Sequence, residues 1–297
     1  MIKNKIASIM VTSTLMSACM SGCATNVSEK YAYADDWNIP NDIQEVSAVR
    51  ELYAYSEETE HDISPLKEVV RESLKHYDFL DWEKFNRLSS VREVNITEDD
   101  LSSLSQEEIA TISSYAAFYD DETDSIIICP AFFEFEDDGQ RFYAIIHEII
   151  HSLVSNNRHK ADHLDEGVVD TLALKVVDDA NIDCRPGYQI AILATEWLIA
   201  IFGEDEYYKA VHDGVAEQMI DNATRDGLGK KLNYAMILAH SKKFPSEELN
   251  VIYDILAHLA NNTGKTAPAK DLLQKDVLLF SYAGIDIDTK YFEKLLK

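Results

Sequence analysis

The chain has 297 residues, 46% of them hydrophobic and 27% charged, enough for one large domain or two modest ones with an ample core. Its formal charge of -26 argues against a protein that tracks nucleic-acid phosphates and describes instead a strongly acidic, soluble surface.

Residues 1–23 read as a targeting segment. Lys3 and Lys5 form a short basic head, and Ile6 to Met20 is an apolar run too short for a comfortable transmembrane helix. It ends in Met16-Ser-Ala-Cys19 and Met20-Ser-Gly-Cys23, and small residues before a cysteine resemble the lipobox of bacterial lipoproteins. Cys23 is the expected lipidated residue, because it leaves the longer apolar core and is followed by polar chain. Cys19 and an ordinary cleaved secretory signal are the alternatives. All three place the mature chain outside the cytoplasm, with a membrane reached only through a lipid.

Residues 24–95 form an N-terminal tether and helical region. Ala24 to Pro40 is polar and rich in tyrosine. Asn41 to Asp78 reads mostly as helix, with Ile43, Val46, Val49, Leu52 and Tyr53 on one face, then Leu66, Val69, Val70, Leu74 and Tyr77. Pro65 after Ser64 suits a helix start. Phe79, Leu80, Trp82 and Phe85 should pack against the body of the protein. Thr97-Glu-Asp-Asp100 and Ser105-Gln-Glu-Glu108 look like capping boxes.

From Ser114 to Pro130 the period changes. Tyr115 to Tyr119 and Ser125 to Cys129, separated by Asp120-Asp-Glu-Thr-Asp124, read as strand, turn, strand. A helix follows over Gln140 to Val154, carrying His147-Glu148-Ile149-Ile150-His151. The two histidines are one turn apart on one face and can both reach a single tetrahedral zinc. Glu148 then points beside the metal, where a general base would stand. Apolar residues at nearly every other position make this a buried helix, in which ionisable side chains are costly unless paired.

A catalytic zinc needs a third protein ligand and leaves its fourth position open. The metzincin continuation fails, because Val154 and Asn157 stand where a glycine and a histidine are required. A second helix, Asp162 to Val177, instead offers Glu166 and Asp170 at i and i+4. Between Gln140 and Asp170 the chain resembles the gluzincin, thermolysin-like branch of zinc metallopeptidases. That resemblance implies His147, His151 and Glu166 as zinc ligands, Glu148 as base, and Asp170 as the acceptor that orients His147. A carboxylate on the far ring nitrogen would fix the tautomer and raise ligand basicity. The resemblance also implies that the strand before the zinc helix is a sheet edge along which substrate lies, although an inner strand fits the residues equally well. His159 and His163 could replace Glu166 as ligand, and Asp165 reads as a charge at a helix N-terminus. For the donor to a reaction oxyanion, Tyr188 comes first and His212 second.

Cys129 and Cys184 could pair in an exported chain or remain as buried thiols. Beyond Val177 the chain reads as helices at Pro186–Phe202, Asp205–His212, Lys230–Lys242, Ser246–Ala260, Pro268–Ala283 and Asp288–Lys297, with breaks at Gly203, Gly264 and Gly284. The expected fold is α+β and mostly helical: a zincin-like catalytic domain over 96–297, with a small sheet and a helical C-terminal lobe. The expected activity is zinc-dependent hydrolysis of a peptide or protein substrate. A lipoprotein that binds a partner around a structural zinc, and a hydrolase of non-peptide amides, are the competing functions. Peptide deformylases share the histidine motif but require an upstream cysteine ligand that this chain lacks.

Overall fold

The structure is a computed structural model that describes residues 57–95, 116–121, 123–135, 137–154, 163–224, 227–240 and 246–282, with Phe292, Lys294 and Leu296. The signal segment, Cys19 and Cys23, both expected capping boxes, His159, and most of the helix expected at 288–297 lie outside the described residues.

Four strands form one sheet in the order β1-β2-β4-β3. They are β1 (Glu57–Asp62), β2 (Ser90–Asn95), β3 (Ala117–Asp120) and β4 (Ser125–Ile128). β1 runs antiparallel to β2, β2 parallel to β4, and β3 and β4 form an antiparallel hairpin with Tyr119 opposite Ile126. The expected hairpin is therefore present, and Asp124 closes it at a φ of 47°. The Asp124 carboxylate accepts from Tyr119 Oη at 2.8 Å and pairs with Arg87 at 3.1 Å.

Two expectations are corrected here. The strand immediately before the histidine helix is not the sheet edge. β4 is flanked by β2 and β3, and every one of its four residues is buried, as befits a continuous apolar strand covered on both faces. Among the described residues, the edge on that side is β3. In addition, residues 57–62 are strand and not helix. Four acidic residues in six hid this, but an outermost strand tolerates charge, and β2 supplies its hydrogen-bonding partner. This pairing also builds residues 57–95 into the same sheet as the hairpin, so the boundary drawn at 95 falls at the end of a sheet strand.

Ten helices accompany the sheet among the described residues. Helix α1 (Ser64–Leu74) starts with Pro65 in its first turn and buries Leu66, Val70 and Leu74. Asp81 caps the short α2 (Trp82–Arg87) by accepting from Lys84 N at 2.8 Å. A 3-10 turn at Pro130–Glu134 joins β4 to α3 (Asp138–Val154). Next come α4 (His163–Asp179), α5 (Gln189–Phe202), α6 (Glu204–His212), α7 (Ala216–Thr224), α8 (Leu228–His240), α9 (Ser246–Thr263) and α10 (Thr266–Tyr282). Helix α7 had no counterpart in the sequence reading. Its residues Ala216, Ile220 and Thr224 are buried at a spacing of four, in a segment too polar to stand out. Gly203, at a φ of 99°, ends α5 as expected.

The core is continuous from Ile63 to Leu296. Helix α3 lies between the β3–β4 hairpin and α4; α4 packs on α5; and α5 meets α9 and α10 in the C-terminal lobe. The molecule is thus α+β and mostly helical, with α3 and α4 at its centre. No helix among the described residues is long and apolar enough to cross a membrane.

Candidate metal centre

Helix α3 is apolar on almost every side, with Phe142, Ile145, Ile146, Ile149, Ile150 and Leu153 all buried. Its ionisable groups must therefore be satisfied inside the protein. His147 Nε2 and His151 Nε2 face each other at 3.0 Å. From α4, Glu166 Oε2 reaches the same point, 3.2 Å from His147 Nε2 and 3.5 Å from His151 Nε2. Gly167 allows this approach: a Cβ there would stand 2.3 Å from Thr195 Oγ1 and 2.5 Å from the Ala191 carbonyl, so only glycine seats α4 this tightly on α5.

These three groups could hold a metal ion, since one ligand atom from each lies within 4.8 Å of the others. Their spacing suits the ion. Zinc–ligand bonds of about 2.0–2.1 Å at tetrahedral angles set donor atoms roughly 3.3 Å apart. The Glu166 oxygen that faces the histidines is buried and has no hydrogen-bond partner among the described residues. Donor atoms from three side chains thus converge on one point that a cation could satisfy.

Asp170 stands behind the first histidine. It is fully buried, and its Oδ1 lies 2.5 Å from His147 Nδ1. A carboxylate can only accept, so Nδ1 carries the proton and Nε2 is turned toward the metal point. Asp170 is itself held by the Tyr143 hydroxyl and by Tyr188 N–H at 2.7 Å. Burial pulls the His147 imidazole down, but the charge and hydrogen bond of Asp170, with Glu166, outweigh it and lift the group to about 10. Burial would raise Glu166, yet the two imidazoles hold its carboxyl well below the usual range. Metal and protons therefore compete for the same atoms.

Glu148 is close to the trio without joining it. Its Oε1 is 4.0 Å from His147 Nε2, and its Oε2 accepts the backbone N–H of Tyr119 on β3 at 2.8 Å. Burial pushes its carboxyl up, against the pull of the two histidines.

Asp165, which the sequence presented as a helix N-terminal charge, does occupy the first turn of α4. It also faces His151 Nδ1 at 3.6 Å, an ion-pair separation. Its signal was the acidic pair Asp165-Glu166 answering two histidines one turn apart. Tyr188 lies against the site through its ring as well as its backbone, stacked on His147 with centroids 5.7 Å apart. On its far side is His240, stacked at 4.7 Å, a residue for which the sequence offered no role. His163 stands edge-on to both. It is not one of the three convergent donors, and burial depresses it to about 4. His212 sits at the end of α6 beside Asp213, at 3.2 Å. Cys129 and Cys184 are not joined in a disulfide.

No protein-family model, curated protein or solved structure matches this chain.

Proposed function

We propose that the chain is a zinc-dependent peptidase of zincin-like build, active outside the cytoplasm. The observation that carries this reading is the place of Glu148: partly buried beside the three donors, outside the ligand set, and tethered to β3 by Tyr119 N–H. A bound zinc supplies Lewis-acid polarisation of a carbonyl and lowers the pKa of water. Glu148 takes the proton of the attacking water and passes it to the departing amine. Asp170 keeps His147 in the tautomer that presents Nε2. Substrate lies against β3, the outermost strand on that side of the sheet among the described residues, beside Glu148. Tyr188, stacked on His147, lines the wall from which a hydroxyl can meet the developing oxyanion.

Glu148→Gln separates an enzyme from a binding module. The amide retains an oxygen for Tyr119 N–H, so fold and zinc content should be unchanged while cleavage of a mixed peptide library falls about 10²- to 10⁴-fold. Equal cleavage by both proteins would sink the mechanism. No cleavage by either would favour a structural zinc with a fourth protein ligand.

The membrane assignment rests on Cys23 and travels with this proposal. Cys23→Ser should move the protein from the membrane fraction to the soluble one. Release by Cys19→Ser alone would transfer the anchor to Cys19.

A further inference from the structure

The amide of Asn233 joins the C-terminal lobe to the start of the glutamate-bearing helix. Asn233 lies on α8 and is only 8% exposed. Its Oδ1 accepts the backbone N–H of His163, the first residue of α4, at 2.8 Å. Its Nδ2 donates to Glu217 Oε1 on α7 at 3.2 Å. A helix begins with amides that no carbonyl of the helix can satisfy, and here a side chain from a distant helix satisfies one. The α7–α8 contact that aims it is close: a Cβ on Gly229, one turn before Asn233, would stand 2.4 Å from the Glu217 carbonyl oxygen. Gly229 N–H also donates to Asp221 Oδ1 at 2.6 Å.

We infer that Asn233 is a positioning residue for the metal centre, fixing the first turn of α4 and hence the place of Glu166. This rests on the metal-binding reading above. Glu166 is three residues beyond His163, within one helical turn, so movement of that first turn moves its carboxylate. Asp165, facing His151, shifts with it. Asp170 is two turns inside the helix, held by His147, Tyr143 and Tyr188, and is insulated. The role needs an acceptor and a donor on one small group, which an asparagine amide provides. Aspartate keeps the acceptor but sets a second carboxylate against Glu217.

The test uses the full chain, zinc as the probe, and a competing chromophoric chelator. Asn233→Ala should weaken zinc binding about tenfold, the low end of what is lost when a group supporting a metal ligand is removed. Exchange of the His163 amide should quicken in the zinc-free protein. The double change N233D/E217Q reverses the polarity of the pair and should restore both readings. D276A serves as the control, because it cuts a buried tie within the same lobe, away from α4. The inference is overturned if N233A binds zinc as wild type does, or if D276A weakens zinc equally, which would make the effect one of general stability. A wild type that takes up no zinc would overturn the metal reading and this inference together, an outcome distinct from a zinc-loaded wild type with an indifferent N233A.

Discussion

Two aspartates in this molecule are equally buried and differently employed. Asp170 on α4 and Asp276 on α10 are 0% and 1% exposed, and each accepts a hydrogen bond from a tyrosine hydroxyl. Around Asp170 both oxygens are engaged, and a histidine answers its charge. At Asp276 one oxygen accepts from both Trp197 Nε1 at 2.8 Å and Tyr253 Oη at 3.0 Å, while the other has no partner among the described residues. The nearby Lys275 is drawn to Glu196, at 2.6 Å and 2.8 Å. Burial therefore pushes Asp276 up to about 6. Burial alone does not mark a functional carboxylate; the partners it holds do.

The sharpest way to break this contrast is a zinc titration across both regions. Replacing His147, His151 or Glu166 by Ala should abolish stoichiometric zinc, because each removes one of three convergent donors. Asp170→Ala should weaken zinc by roughly 10- to 100-fold without abolishing it, as expected when the acceptor behind a histidine ligand is lost. Asp276→Ala should leave zinc affinity where it was. Metal analysis showing full occupancy in the Glu166 variant would send the third-ligand role to the segment around His159. A zinc defect at Asp276 equal to that at Asp170 would erase the distinction.

The same contrast shows what the sequence could reveal. His147, Glu148 and His151 were legible because helical periodicity converts spacing into geometry; periodicity also put Glu166 and Asp170 on one face of a second helix, and the resemblance to gluzincins implied what that face would meet. The hairpin was legible for a similar reason, as an aromatic stretch and a run of isoleucines separated by an acidic turn. Position within the sheet was not. β4 is internal because β2, some thirty residues upstream, pairs beside it in parallel. No local pattern announces such a partner. Strand β1 lies between the two apolar helical faces expected within 41–78, its charges suit either form, and only pairing with β2 decides. His240 and Asn233 were invisible for a third reason. Both lie on α8, and their meaning comes from what α8 packs against: Tyr188 for one, the first amide of α4 for the other.

The smallest expected effect concerns Asp276 and pH. Its folded-state value of about 6 stands above the ordinary 3.8, so between those values the folded protein holds a proton that the unfolded chain has released. With more protons bound when folded, stability falls as pH rises through this window. The contribution is complete below about pH 4 and lost above about pH 6. A shift of this size corresponds to about 1–3 kcal/mol. Asp276→Asn keeps an oxygen for Trp197 and Tyr253 and cannot ionise. The variant should match wild type near pH 4 and become more stable by about 1–3 kcal/mol at pH 7, with the difference opening between the two. Urea unfolding of both proteins at several pH values measures this directly, and taking the difference cancels the pH response of the many other acidic groups. A constant difference across the range would mean that Asp276 does not change ionisation there. A wild type that gains on the variant as pH rises would mean that the folded protein stabilises the ionised carboxylate of Asp276, and would reverse the assigned direction.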